Sequence, residues 1–243
     1  MFSRPDYSEI IPGLFLGNIE TTKDKLFLHR NNIHYVLSLT KNPVRFDKDD
    51  KINHIQIPLR DAPYEDIISY FDVIHSFIHE GLNQRVGVYV HCDMGISRSS
   101  TAIISYLMRL WKKPYAQVRA FVKIKRPQIN PNFGFQAQLM LFNKMGFTLR
   151  GLSPLHKLYQ RFTLKDYMTG EQRFDVRNYL KELDNMIDRG TTTIMPALPY
   201  VGGQSSVTVS PPLQARVEYS TINDPNYAMP MNTRKKYHWP RFN

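Results

Sequence analysis

The stretch from Val86 to Leu110 leaves the least freedom to this chain of 243 residues. Its apolar start, Val86 to Val90, has the length of a short buried strand, and Ser99 to Leu110 (Ser-Ser-Thr-Ala-Ile-Ile-Ser-Tyr-Leu-Met-Arg-Leu) has the content of a largely buried helix with Ser99 near its start. Between them lie His91, Cys92, Asp93, Met94, Gly95, Ile96, Ser97 and Arg98. A loop that runs from a strand end into a helix start offers backbone N–H groups with no intrahelical partner, and the helix dipole adds positive potential there, so the loop can cup an anion. Gly95 permits a positive φ or a close backbone approach. Arg98 would be costly beside a buried strand end without an anion, and its planar fork suits two phosphate oxygens. The same positive field favours the thiolate of Cys92, the only cysteine, beneath a bound phosphorus. A lone cysteine after a strand is commonly just a small buried hydrophobe; the loop around this one points to a nucleophile.

Elsewhere strand-like and helical patterns alternate. Gly13 to Leu16 and Val36 to Leu39 read as strands flanking a helix around Lys23 to Asn31, and Ile52 to Ile57 as a further strand. Ile67 to Gly81 reads as an amphipathic helix stopped by Gly81, Pro114 opens a helix that runs to Lys125, and Phe135 to Lys144 forms another closed by Gly146. This order predicts an α/β fold with a mixed central sheet flanked by helices, the anion loop lying at the carboxyl end of a strand. Residues 1–150 make one catalytic-sized domain. Residues 151–190 form a helical extension, with helices over Leu158 to Met168 and Phe174 to Ile187, whose Leu158, Phe162 and Leu164 can dock on the domain. Residues 191–243, rich in Thr, Ser, Pro and Gly without sustained periodicity, read as a disordered tail.

Composition excludes several classes. With 42% hydrophobic and 12% aromatic residues the chain can build a core, yet nowhere does it approach the roughly 18 apolar residues of a membrane span. Its first residues lack the apolar centre of a signal peptide. A single cysteine rules out an internal disulfide and a cysteine-based zinc site, no metal-ligand cluster or cofactor motif is present, and a reducing compartment, cytoplasmic or nuclear, is the default. The net charge of +11 invites a nucleic-acid reading, but its densest patches, Lys112-Lys113, Lys123 to Arg126 and Arg234 to Lys236, are short and lack interleaved aromatics. They read as solvated faces, or as a field that attracts acidic phosphorylated partners.

His91-Cys92, five residues, then Arg98-Ser99 resembles the signature of the cysteine-dependent protein phosphatases, in particular the dual-specificity branch. Three further stretches carry the likeness: Ile11 to Gly17 resembles the family's first strand, Ile57 to Asp61 its acid-bearing loop, and Arg126-Pro127 through Pro131 to Gln136 with Gln138-Leu139 its last helix entry. Asp93-Met94 departs from the residues many relatives carry. The resemblance implies a cysteinyl-phosphate mechanism: Cys92 attacks phosphorus, the loop amides from Asp93 through Met94, Gly95, Ile96 and Ser97 to Arg98, with the Arg98 guanidinium, hold the phosphate oxygens, and Asp61 protonates the leaving oxygen. It implies too that Ser99 helps the thiolate depart and that Asn132 braces the loop, although a turn asparagine explains Asn132 nearly as well. Glu65 and Asp66 compete with Asp61, since either can serve as an N-terminal carboxylate for the helix that follows. His91 supports the loop or is an ordinary core histidine.

The loop holds no lysine, and Asp93 places a negative charge where a second phosphate would approach, which favours phosphoproteins as substrates over polyanions. By resemblance the pocket accepts phosphotyrosine and phosphoserine or phosphothreonine. The alternatives are a phosphatase of phosphoinositides or RNA 5′-phosphates, a rhodanese-like phosphatase, and a phosphate-binding pseudophosphatase or scaffold.

Overall fold

A computed structural model describes residues 5–165 and 172–188. Five strands form its main sheet: β1 (Tyr7–Ile11), β2 (Leu14–Gly17), β3 (Ile33–Leu39), β4 (Asn53–Ile57) and β5 (Gly87–His91), in the spatial order β1-β2-β5-β3-β4. β1 runs antiparallel to β2, and β2, β5, β3 and β4 are parallel. The sheet is therefore mixed, as the sequence predicts. β5 lies at the centre with all five residues buried, which is why Gly-Val-Tyr-Val-His shows no polar alternation.

Period-two alternation instead sorts residues between two cores. Leu14, Leu16, Leu37, Val88 and Val90 face one side, against α2 (Phe71–Asn83), α3 (Arg98–Trp111), α4 (Tyr115–Lys125) and α5 (Phe133–Lys144). Phe15, Val36 and Tyr89 face the other, against Phe27 and Leu28 of the short α1 (Lys25–Arg30). The helix expected around Lys23 to Asn31 is this α1, preceded by a separate 3-10 turn at Ile19–Lys23. Gly81 does not stop α2, which continues to Asn83. It packs face-on against β-strand side chains: a Cβ there would stand 2.5 Å from Val88 Cγ2, so the glycine serves close approach within the helix.

The extension is only partly helical. Its first helix, α6 (Pro154–Arg161), ends well before Met168; a hairpin of β6 (Thr163–Lys165) and β7 (Gln172–Phe174) follows, and then α7 (Val176–Asp188). Apolar spacing over so few residues fits one helical turn and a three-residue strand alike, and cross-strand pairing of Thr163 with Phe174 decides it. Tyr159, Phe174, Val176 and Tyr179 are buried in the main core, with Leu158 and Phe162 packed against it. The Leu164 side chain and the tail at 191–243 lie outside the described residues. No helix among the described residues is long and apolar enough to cross a membrane. Arg126, counted above in a solvated patch, is fully buried.

Candidate active site

β5 ends at His91 and α3 begins at Arg98, so Cys92 to Ser97 form the loop at the carboxyl end of the central strand. Cys92 is buried, and its Sγ accepts hydrogen bonds from the Gly95 N–H at 3.2 Å and the Ser99 hydroxyl at 3.2 Å. Gly95 has φ +67, and a Cβ on it would meet the Gly17 carbonyl oxygen at 2.5 Å, so the turn that aims its N–H at sulfur is closed to side chains. Met94 projects outward, 57% exposed, and the Ile96 carbonyl accepts from the Asn130 N–H at 2.9 Å.

Arg98 is buried, with Nη1 donating to the Leu59 carbonyl at 3.1 Å and Nη2 to Asp93 Oδ2 at 2.8 Å. Its Nε has no hydrogen-bond acceptor and stands 3.8 Å from Asp61 Oδ2. A buried guanidinium N–H without an acceptor is what an oxyanion would satisfy. Asp61, in the loop after β4, accepts at Oδ1 from the Ser97 hydroxyl (2.7 Å) and from Asn132 Nδ2 (2.8 Å). Asn132 does two jobs, since its Oδ1 also caps α5 by accepting from the Phe135 N–H at 3.0 Å. Cys92, Arg98, Ser99, Ser97, Asp61 and Asn132 thus meet in one place. Asp66 turns away from it, accepting from the Ser69 N–H at 3.1 Å in the N-terminal-carboxylate geometry expected of it.

His91 is fully buried, stacked on Tyr89, and pairs through Nε2 with the Ser38 hydroxyl at 2.7 Å and through Nδ1 with the Cys92 carbonyl at 3.2 Å. Burial pushes its pKa down to about 4. It is neutral at neutral pH and shapes the loop through the backbone of Cys92. The Asp93 side chain is held by the Thr40 hydroxyl, by Asn42 Nδ2 at 3.0 Å and by Arg98. Burial alone would raise its pKa; the Thr40 and Arg98 donors outweigh that and hold the carboxyl below the usual range.

Sequence reasoning missed the outer supports of the loop. Arg126 Nε donates to the Gly95 carbonyl at 2.9 Å and Nη2 to the Met94 carbonyl at 3.5 Å, while both terminal nitrogens grip Asp6, at 3.1 and 2.7 Å. Residue 127 is a proline, which forces Arg126 out of helical backbone (φ −140, ψ 91) and turns its side chain inward; the Arg-Pro pair was the available signal. Nothing local marks Thr40, Asn42 or Ser38.

Residues 14–145, more than half of the chain, match the model of the dual specificity phosphatase catalytic domain. The chain belongs to the dual-specificity phosphatase family. This phosphatase is 42% identical over 136 residues to MAP kinase phosphatase with leucine-rich repeats protein 3 of Dictyostelium discoideum, a match spanning 56% of the chain and only 16% of that relative. It is 32% identical over 178 residues to dual specificity protein phosphatase 22 of Xenopus tropicalis, covering 72% of the chain and 78% of the relative. The solved structure of DUSP15 superposes with a TM-score of 0.56 at 29% identity, over 66% of this chain and 98% of that one. The catalytic domain is that of a protein phosphatase, an enzyme that hydrolyses phosphoesters. The match to the domain model ends at residue 145, so α6, β6, β7 and α7 of the phosphatase lie beyond it.

Proposed function

We propose that the chain hydrolyses phosphotyrosine and phosphoserine or phosphothreonine on proteins through a cysteinyl-phosphate intermediate. One observation carries this reading: Cys92 Sγ accepts from Gly95 and Ser99 at the floor of a loop where the Nε of buried Arg98 has no acceptor. The Cys92 thiolate attacks phosphorus in line with the leaving oxygen, forming the S–P bond as the P–O bond breaks. Arg98 Nε and the loop amides from Asp93 to Arg98 hold the equatorial oxygens. Asp61 Oδ1 already accepts two hydrogen bonds, so Oδ2 carries the proton that goes to the leaving oxygen. Water then attacks phosphorus, giving its proton to the Asp61 carboxylate, and sulfur leaves as a thiolate that the Ser99 hydroxyl stabilises.

Three features support a singly phosphorylated protein residue as substrate. Asp93, Met94, Gly95, Ile96 and Ser97 supply no cation for a second phosphate, the Asp93 charge is already paired with Arg98, and one relative bears the name of a MAP kinase phosphatase. A thiolate nucleophile also suits a reducing compartment, so a cytoplasmic or nuclear location belongs to this reading.

The test is turnover of an aryl phosphate under reducing conditions, followed by phosphopeptides, inositol phospholipids and triphosphate-ended RNA at one ionic strength. Cys92→Ser abolishes turnover and keeps phosphate binding. A lead of more than about tenfold, or about 1.4 kcal/mol, for either polyanion overturns the substrate assignment, and no turnover of any of them leaves a binding module.

A further inference from the structure

We propose that the extension beyond the family domain braces the loop bearing Asp61, with Asp66 and Arg177 as positioning residues for proton donation. The inference rests on the reading of Asp61 as general acid.

The segment from Asp61 to Ser69 is anchored in two ways. The family domain supplies the first. Asp61 is held by Ser97 and Asn132, and Pro63 lies so close to Gly134 that a Cβ there would fall 1.7 Å from the Pro63 carbonyl oxygen. Gln138 accepts from the Ile67 and Ile68 N–H groups, each at 3.0 Å, and donates to the Glu65 carbonyl at 3.0 Å.

The extension supplies the second. The buried Asp66 carboxylate has one oxygen on the Ser69 N–H within its own segment, while the other accepts the Phe174 N–H of β7. The Arg177 guanidinium of α7 sits over the Tyr64 ring at 4.4 Å, and the Tyr159 hydroxyl of α6 meets the Ser69 hydroxyl at 3.2 Å. Phe174 in turn packs on Tyr159 and Tyr179, at 5.1 and 5.0 Å between ring centroids. A carboxylate taken out of water is costly unless both oxygens find donors, and one of the Asp66 donors belongs to the extension. The Asp66 carboxylate therefore keeps donors on both oxygens only with the extension in place. Proton delivery is sensitive to small displacements, whereas Cys92 lies in the loop between β5 and α3, held by Gly95 and Ser99 rather than by this brace.

The experiment uses the full chain and a series of aryl phosphates from good to poor leaving groups, with Asp66→Ala, Arg177→Ala and each combined with Asp61→Asn. Asp66→Ala and Arg177→Ala are expected to lower kcat about tenfold and threefold for the poorest leaving group, to change it less than twofold for a dinitrophenyl ester, and to leave the alkylation rate of Cys92 unchanged. In the Asp61→Asn background neither has a further effect. Arg177 is exposed, so its variant tests the brace even if Asp66→Ala fails to fold. Equal losses across the series, no loss, or losses that add to that of Asp61→Asn overturn the proposal. If Asp61→Asn itself shows no leaving-group dependence, the assignment of the acid fails instead.

Discussion

The Asp93 carboxylate accepts a hydrogen bond from Arg98 Nη2 at 2.8 Å, tying the loop to the first residue of α3. With Nη1 on the Leu59 carbonyl at 3.1 Å, the guanidinium is fixed at two nitrogens before phosphate arrives. Thr40 and Asn42 fix Asp93 in turn, so the orientation of Arg98 is set by a chain that runs back to β3. Such preorganisation spares the ordering cost of binding.

Asp93→Ala therefore weakens inhibition by inorganic phosphate about tenfold and raises KM similarly, about 1.4 kcal/mol. Asp93→Asn retains an acceptor for Arg98 and loses less. Electrostatics alone predicts the opposite sign, because the substitution removes a negative charge near the anion; tighter phosphate inhibition by Asp93→Ala would refute the positioning role.

Arg126 is the deepest charge in the molecule's loop scaffold, and lysine cannot serve Gly95, Met94 and Asp6 together. Arg126 is buried but Asp6 is half-exposed, so losing the bidentate grip and a loop donor costs about 1–2 kcal/mol, and Arg126→Lys is expected to lower the melting temperature by roughly 2–8 °C and to reduce kcat/KM. Melting curves with and without phosphate check it; a variant that melts with the parent would show that the bidentate grip on Asp6 is dispensable.

On the proposed mechanism, Ser99→Ala should slow breakdown of the cysteinyl phosphate more than its formation, since the hydroxyl donates to Sγ at 3.2 Å and would stabilise a departing thiolate. A rapid burst of aryl alcohol, close to one per enzyme, followed by a steady state about tenfold slower than the parent's is the expected trace. Parental kcat without a burst would remove Ser99 from the second step.

Stability between pH 4 and 6.5 reflects opposed groups. Burial raises the Asp66 pKa from 3.8 to about 6, so its contribution is fully present below pH 3.8 and is lost as pH rises through about 6. Burial lowers His91 to about 4, and lowers His54 and His75 too, so their contribution is present above pH 6.5 and lost as pH falls. Asp66→Asn cannot ionise and leaves the histidine slope alone. Relative to the parent it should gain about 2 kcal/mol of stability from pH 4 to pH 6.5, on top of any constant offset from altered hydrogen bonding. Denaturant titrations at several pH values that show only the offset would contradict the buried, raised Asp66.

The grouping of the proposed reactive residues was legible in the sequence because their spacing is local. Cys92 and Gly95 lie in one loop and Arg98 and Ser99 open the helix after it, and a strand end leading into a helix start is enough to aim N–H groups at an anion. The mixed sheet was legible for a similar reason: apolar runs with period two or three to four record which face is buried. What holds the loop is not local. Arg126 reaches Asp6 across 120 residues, Asp93 meets Thr40 across 53, and Asp66 meets Phe174 across 108. A lysine- and arginine-rich helix end looks solvated until its last arginine is seen to turn inward, and a spacing that suits a helix cannot reveal a hairpin whose pairing partner lies elsewhere. The sequence by itself determined which groups share the anion loop and the helix start that follows it; the tertiary structure decided which carboxylate faces that loop, which is buried and which holds the arginine, because those choices depend on donors that only the folded chain brings within hydrogen-bond reach.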